Sequence, residues 1–227
     1  MESLKRHTDY GNEGLTAEQA GTDPLALLAA WITAAEGADI FEPNAMVLST
    51  IDADGSPSSR TVLLKGLDVS GDAGTGLEFV TNYLSRKGRA LAAHDRVSLL
   101  FPWYGLKRQV IVSGVATPTD GITSDAFFDR RPHGARLAAI ASDQSEPIDS
   151  RETLDERMAT LEVQYPEGEH IPRPEKWGAY CVVPDRFEFW AGRSKRFHDR
   201  IVFTRDVLVG AAVASAGTPW TVTRLQP

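Results

Sequence analysis

The sequence has few of the features that mark secreted or membrane proteins. It contains one cysteine, Cys181, among 227 residues, so no disulfide can form within the chain, as is typical of a reducing, cytoplasmic compartment. Its longest apolar stretch, residues 207–217, is too short to cross a bilayer, and its first residues lack an apolar signal segment. We therefore expect a soluble, cytoplasmic protein with no membrane partner.

Positive charge and metal-ligand motifs are also scarce. The 24 Lys and Arg residues are outnumbered by 31 Asp and Glu residues, and the net charge of −7 argues against general nucleic-acid binding. The five histidines are not at ligand spacing, and the chain has no CxxC, GxSxG or phosphate-loop motif. We predict neither a metal site nor a nucleophile elbow.

The pattern of turn residues and apolar runs predicts one domain behind a short arm. Residues 1–22 are polar and contain glycine, so we expect a mobile arm there. Asp23 followed by Pro24 predicts the start of a helix, and from Ala45 the chain changes to short β-rich runs typical of an antiparallel meander. Helices are predicted between residues 123 and 164.

A second β cluster follows near the end of the chain, with strands predicted at residues 179–183, 186–190, 198–203 and 220–225. The glycine-rich residues 71–76 lack the later glycine of a dinucleotide-binding fingerprint, so we predict a hairpin loop. Residues 23–227 are therefore expected to form a single α+β domain, mainly β, built as a small closed or split barrel with flanking helices.

Two segments suggest phosphate binding. Ser85 can cap a helix that begins at Arg86, so backbone N–H groups and the cations Arg86 and Lys87 would converge at one point. The alternative is an ordinary capped helix with solvated basic residues. Arg60 and Lys65 lie at the two ends of an apolar strand, where alternation sends them to opposite faces. One ligand could meet both only at an edge or a bulge.

Three further features concern polar side chains that follow these two segments in the chain. If a strand begins before Arg196, then Arg196, His198 and Arg200 share one face and need an anion opposite them. A solvated edge strand is the alternative. Residues 130–136 form another basic cluster, predicted to be a loop between helices. Gln109 lies in an apolar strand, where its amide must pair with the protein or with a polar ligand edge.

Nine segments occur in an order and spacing that resemble one known family. They are RTVLLK, FVTNYLSRKG, RVSLLFPW, RQVIVSG, the RRP loop, SDQSE, EFWAG, RFHDR and the terminal RLQP. Through them the chain, from about Asp23 to Pro227, resembles the pyridoxine/pyridoxamine 5′-phosphate oxidase family. The resemblance implies an FMN-binding split β-barrel, an obligate homodimer, and two symmetric active sites built from both chains.

The resemblance also implies roles for individual residues. Positions matching the FMN contacts of the family are Arg60, Val62, Leu63, Leu64, Lys65, Val80, Thr81, Ser85, Arg86, Lys87, Gln109, Gln144, Ser145, Trp190 and Arg200. Positions matching its substrate contacts are Tyr10, Lys65, Phe127, Arg131, Ala135, Arg196 and His198. Arg196 and His198 would face the reacting group, and Glu42 is a lesser acid/base candidate.

The chain departs from the family pattern at three of these positions. Phe127 and Ala135 replace a tyrosine and a serine that usually help to bind the substrate phosphate, which leaves Lys65 and Arg131 for that task. Val80 replaces an aromatic residue of the usual FMN contact before the position of Thr81.

Three functions are consistent with these residues. The first is an FMN-dependent oxidase that converts pyridoxine or pyridoxamine 5′-phosphate to pyridoxal 5′-phosphate, with O₂ as acceptor and peroxide as product. The second is a related flavin oxidase of a non-phosphorylated reduced aromatic, because the SDQSE and RLQP segments also resemble the dihydrophenazine-oxidising branch. The third is a non-catalytic module that binds flavin or haem.

Overall fold

The computed structural model describes residues 1–5, 8–70, 76–205 and 219–227. The predicted hairpin loop at residues 71–76 lies outside this part of the chain except for Gly76. The described α-helices are α1 (Ala17–Ala20), α2 (Pro24–Gly37), α3 (Arg86–Ala93), α4 (Gly121–Asp129), α5 (His133–Ala141) and α6 (Arg151–Gln164). The described strands are β1 (Ala45–Ile51), β2 (Pro57–Leu63), β3 (Gly66–Leu67), β4 (Leu77–Asn82), β5 (Arg96–Trp103), β6 (Arg108–Pro118), β7 (Trp177–Ala191), β8 (Asp199–Thr204) and β9 (Thr221–Leu225).

The strands form one antiparallel sheet in the order β2-β1-β5-β6-β7-β4-β3, and β8 pairs with both β7 and β9. Consecutive strands pair from β5 to β9, as in a meander. The meander predicted from Ala45 onward is confirmed for β1 and β2, which pair with each other. It is wrong after β2, because β4 pairs with the short β3 and with β7 on the far side of the sheet. The sheet with its flanking helices has the predicted split-barrel architecture.

Strand β7 explains this topology. It was predicted as two strands, but Trp177–Ala191 is continuous, with one irregularity where Ser113 pairs with Arg186 and Gly114 with Pro184. The extra residue, Asp185, is a β-bulge that bends the strand without ending it. The first part of β7 pairs with β4 and the last part with β8. One long strand therefore pairs with two different strands, one after the other, along the same edge.

The core of the sheet is aromatic and aliphatic. Helix α2 begins as predicted: the Asp23 carboxylate accepts hydrogen bonds from the N–H groups of Leu25 and Ala26 at 2.9 and 3.2 Å. It buries Leu28 and Trp31, and the Trp31 ring meets Phe189 edge-on at 5.2 Å. A smaller core under α4, α5 and α6 consists of Phe128, Leu137, Ile171 and Trp177. Each such side chain contributes roughly 1.5–3 kcal/mol on burial.

The arm before α2 lies against the sheet. Leu15 and Ala20 are buried in the main core. The N–H of Leu15 donates to the Asp199 carboxylate at 3.0 Å, and the N–H of Ser194 donates to the carbonyl of Gly11 at 2.6 Å. These contacts give the arm a defined place in the fold, whereas its mobility stays a prediction. No helix in the described ranges is long and apolar enough to span a bilayer.

Candidate functional site

A cavity of about 760 Å³ lies beside β2, β4, α4 and α5, within the usual size range of small-molecule sites. Among the described residues, no carboxylate lines it. Five cations do: Arg60, Lys65, Lys87, Arg130 and Arg131. Because the whole chain carries a net charge of −7, this concentration of positive charge is local. The cavity is suited to an anionic ligand.

One end of the cavity holds Lys87 and Arg60, each with its own hydrogen-bond partners. The Lys87 ammonium donates to Gln144 Oε1 at 2.8 Å, and the Thr81 hydroxyl lies 3.5 Å from the same oxygen. The Arg60 guanidinium donates to Thr50 Oγ1 at 2.8 Å and to Ser58 Oγ at 2.7 Å, which fixes its direction. Burial and then the nearby Arg60 lower the pKa of Lys87. A bound anion would relieve this repulsion.

The start of α3 positions Lys87. Ser85 is fully buried; its hydroxyl accepts from the Gly88 N–H at 3.2 Å and donates to the Asn82 carbonyl at 2.7 Å, so the predicted cap is confirmed. The two cations do not converge in the structure, and the role of Arg86 in binding FMN stays a prediction. Arg86 is exposed and donates to the Asp52 carboxylate at 2.6 and 2.9 Å, and neither it nor Ser85 lines the cavity. Adjacent helical residues point about 100° apart, so only Lys87 faces inward.

The end of β2 brings Arg60 and Lys65 to the same cavity. Strand β2 is an edge strand that stops at Leu63, and Leu64 turns its side chain into the core. Lys65 therefore returns to the cavity side, as predicted for a shared ligand at an edge. Val62 and Leu63 line the cavity, whereas Leu64 does not.

The other end of the cavity lies between α4 and α5. The Arg131 guanidinium lies 4.8 Å from the centre of the Trp177 ring and donates to the Ala135 carbonyl at 2.8 Å; burial lowers its pKa. Phe127, Ala135 and Val80 line the wall without a hydrogen-bonding side chain. The predicted loop covers only residues 130–132, because α5 begins at His133.

A second group of predicted site residues lies away from the cavity. Gln109 of β6 pairs with Trp190 of β7, and Trp190 pairs with Arg200 of β8, so the three positions are side by side across the sheet. The Arg200 guanidinium donates to Glu188 Oε1 at 2.8 Å. Glu188 is a buried carboxylate, also bonded by Arg186 at 2.7 Å, and sequence reasoning missed it although it interrupts an apolar strand.

Arg196 and His198 join this second group through a loop. The predicted strand face is wrong, because β8 begins at Asp199 and residues 194–196 form a 3₁₀ turn in which Lys195 and Arg196 have φ of 55° and 64°. The His198 ring lies 4.7 Å from the Trp190 ring, and its Nδ1 accepts the Arg193 N–H at 3.0 Å. Burial and Arg196 lower the pKa of His198, which favours the neutral ring with its proton on Nε2.

The arm covers this group. The Tyr10 ring meets the Trp190 and His198 rings edge-on at 5.8 and 5.4 Å, and the Arg196 guanidinium lies 5.9 Å from its centre. Gly192 permits this packing, since a Cβ there would lie 2.8 Å from the Tyr10 ring. We call Tyr10, Gln109, Trp190, Arg196, His198 and Arg200 the Trp190 group.

Glu42 and Ser145 belong to neither set. Both are exposed and have positive φ, at 47° and 75°, and neither lines the cavity. Their roles stay predictions. Conversely, Arg130, Asn82 and Trp177 line the cavity without having been assigned a role. Arg130 was visible as part of a basic cluster, but only the course of the chain shows that it faces the cavity.

Fold and site together define the class of protein: a split barrel with a cavity lined by cations beside its sheet. The family model described as Pyridoxamine 5′-phosphate oxidase matches residues 33–165, and that described as Pyridoxine 5′-phosphate oxidase C-terminal dimerisation region matches residues 177–227. The chain belongs to the pyridoxine/pyridoxamine 5′-phosphate oxidase family and is a flavin-dependent oxidoreductase. The second match supports a homodimer.

Individual relatives agree with this assignment. A pyridoxine/pyridoxamine 5′-phosphate oxidase of Rubrobacter xylanophilus is 47% identical over 96% of this chain and 94% of its own length. The crystal structure of PhzG from Burkholderia lata 383, in complex with tetrahydrophenazine-1-carboxylic acid, is 31% identical with a TM-score of 0.82, covering 96% of this chain and all of that one. An FMN-binding protein of Nostoc punctiforme shares the fold at 14% identity and a TM-score of 0.68, over 91% of this chain and 100% of that chain.

Proposed function

We propose that this chain is an FMN-dependent oxidase that converts pyridoxine or pyridoxamine 5′-phosphate to pyridoxal 5′-phosphate. The observation that carries the proposal is the cavity lined by five cations and, among its described residues, no carboxylate. Both the cofactor and the substrate carry a phosphate. Arg60 and Lys87 lie near each other at one end of the cavity, Arg130 and Arg131 follow α4 at the other, and Lys65 follows β2.

The donor set fits FMN. Lys87 and Arg60 offer charge-assisted hydrogen bonds to one phosphate, and Thr81 and Gln144 beside them offer neutral polar groups. Nothing in the described chain resembles a second nucleotide site, so FMN is favoured over FAD. When bound, the flavin would supply the hydride acceptor, and O₂ would take up the electrons as hydrogen peroxide. With pyridoxamine 5′-phosphate, water would also be consumed and the amine nitrogen released as ammonia.

In this proposal each active site combines the cavity of one protomer with the Trp190 group of its partner. The cavity by itself holds no histidine, whereas the Trp190 group holds one beside an arginine. The Trp190 group lies, apart from Tyr10 and Gln109, within the segment that matches the dimerisation region. A homodimer would therefore have two equivalent sites, related by its symmetry axis.

The residues of the chain would divide the work of substrate binding. Lys65 and Arg131 would hold the phosphate, and Arg196 and His198 would face the reacting carbon and the ring hydroxyl. Because His198 Nδ1 already accepts a backbone N–H, Nε2–H is available as a hydrogen-bond donor and not as a base. Tyr10 would cover the ligand and exclude water.

The test is a flavin analysis followed by a turnover assay. Purified protein is heated, and the released flavin is compared with FMN and FAD by chromatography. The refilled enzyme is then given pyridoxine and pyridoxamine 5′-phosphate, with peroxide and pyridoxal 5′-phosphate measured separately. We expect the released flavin to be FMN, and we expect peroxide and pyridoxal 5′-phosphate to form in equal amounts. Turnover should be lost when the non-phosphorylated vitamers are used. Released FAD, or no peroxide from either phosphorylated vitamer, would overturn the proposal.

A second candidate is the oxidation of a reduced phenazine carboxylate. The apolar wall of Phe127, Ala135 and Val80 favours it, as does the similarity to PhzG. The variant Phe127→Tyr/Ala135→Ser separates the two candidates. A vitamer oxidase should gain affinity for the phosphate, with a KM lower by about tenfold per added hydrogen bond to a charged group, whereas a phenazine oxidase should lose kcat/KM on a dihydrophenazine carboxylate.

A further inference from the structure

The cavity end near α4 contains one cation that the site assignments above leave without a role. We propose that Arg130 is a specificity-determining residue, a third cation that binds the phosphate of the substrate together with Lys65 and Arg131. The proposal rests on the proposed function, because it names a further residue of the same substrate-binding end.

Arg130 is placed for this role by the end of α4. That helix ends at Asp129, and Arg130 follows at the rim of the cavity, with its guanidinium carbon 5.8 Å from the centre of the Phe127 ring. Its guanidinium has no hydrogen bond or ion pair with any residue that the structure describes. Arg131, in contrast, already donates a hydrogen bond to the Ala135 carbonyl and lies over the Trp177 ring. Arg130 also acts on the Glu78 carboxyl at a distance, partly opposing the rise in pKa that burial causes there. It can therefore bind an anion without breaking a hydrogen bond or an ion pair with a described residue.

The segment that carries Arg130 offers no neutral donor side chain to the cavity. Between positions 127 and 139, the described residues that line the cavity are either cations or apolar: Phe127, Arg130, Arg131, Pro132, Ala135, Ala138 and Ala139. Trp177 and Ser142 line the cavity from other segments, so an anion beside Arg130 is recognised mainly by charge. Charge recognition at an open rim is screened by salt, so affinity should fall as ionic strength rises.

The test compares two non-reacting ligands on the flavin-loaded protein. 4-Deoxypyridoxine 5′-phosphate lacks the oxidisable alcohol but keeps the phosphate, and 4-deoxypyridoxine lacks both. Their dissociation constants are measured by calorimetry at low and high salt for the natural chain, Arg130→Gln and Arg151→Gln. Arg151 is a matched control: its side chain is 79% exposed on α6, and its loss changes the net charge equally.

We expect Arg130→Gln to weaken the phosphorylated ligand about three- to tenfold at low salt, with a shallower salt dependence. The non-phosphorylated ligand and the Arg151→Gln protein should be unaffected. Equal affinities of Arg130→Gln and the natural chain for the phosphorylated ligand would overturn the role of Arg130, even if the enzyme oxidises the vitamers. Binding through Arg130 without vitamer turnover would instead contradict the proposed function alone. A natural chain that binds both ligands equally would overturn both.

Discussion

Lys87 and Arg86 are neighbours in sequence, but only Lys87 lines the cavity. Substituting each of them in turn therefore tests the proposed cofactor site. Lys87 is half-buried, faces the cavity and donates to Gln144 at 2.8 Å. Arg86 is 60% exposed and pairs with Asp52. A hydrogen bond to a charged group contributes about 1.5–3 kcal/mol, so Lys87→Ala should weaken FMN binding roughly ten- to hundredfold.

The control is Arg86→Ala, which removes one positive charge at the same helix start but leaves the cavity unchanged. Because exposed ion pairs contribute little, its effect on FMN binding should be less than about threefold. The assay is a titration of flavin-free protein with FMN, followed by quenching of flavin fluorescence, with thermal unfolding measured in parallel. Equal weakening by the two substitutions would refute the reasoning, since it would mean that both cations meet the phosphate at the start of α3.

Four other substitutions test the assignment of the substrate site, the packing of α2 and the role of Asp199. Arg196→Ala and His198→Ala should keep the flavin but slow its reduction by substrate in stopped-flow measurements, and unchanged rates would contradict their place in the substrate site. Leu28→Ala removes a fully buried side chain of α2 and should cost about 2–5 kcal/mol of unfolding free energy in urea titrations; a change below 1 kcal/mol would contradict the packing. Burial alone would raise the pKa of Asp199, but the Leu15 N–H, Arg224 and Arg193 hold it below its ordinary value. The stability that the ionised Asp199 contributes should therefore be complete above about pH 3.9, its unfolded pKa, and be lost as the pH falls through the lower pKa of the folded state. In Asp199→Asn the melting temperature should accordingly fall less steeply as the pH is lowered through this range.

Local signals in the sequence were reliable guides to local structure. Asp23 and Ser85 cap the helices that were predicted to follow them, because a capping side chain acts on N–H groups two or three residues away. The turn that frees Lys65 from the alternation of β2 was also foreseeable from the ends of one apolar run. The pairing of β4 with β7 was not, since it joins segments about a hundred residues apart in sequence and depends on how far β7 extends.

The parts of the site that were mispredicted depend on distant partners or on unusual backbone. Alternation puts Arg196 and His198 on one face only if a strand begins before them. The positive φ values of Lys195 and Arg196 interrupt the extended backbone there, and β8 begins at Asp199. Arg86 was expected in the cavity, and only the position of Asp52 shows why it points elsewhere. Neither feature has a signature in the residues next to it.

Strand β7 connects the cavity to the Trp190 group and separates them by its length. Trp177, at the cavity, and Trp190 are thirteen positions apart on one strand, a path of roughly 40 Å at the usual rise per residue. If a working site needs one end of this strand from each protomer, then a defect at the cavity and a defect at the Trp190 group can be placed in different chains. Refolding the impaired Lys87→Ala and His198→Ala subunits together would then raise activity above that of either variant alone, because every mixed dimer would contain one site free of both substitutions.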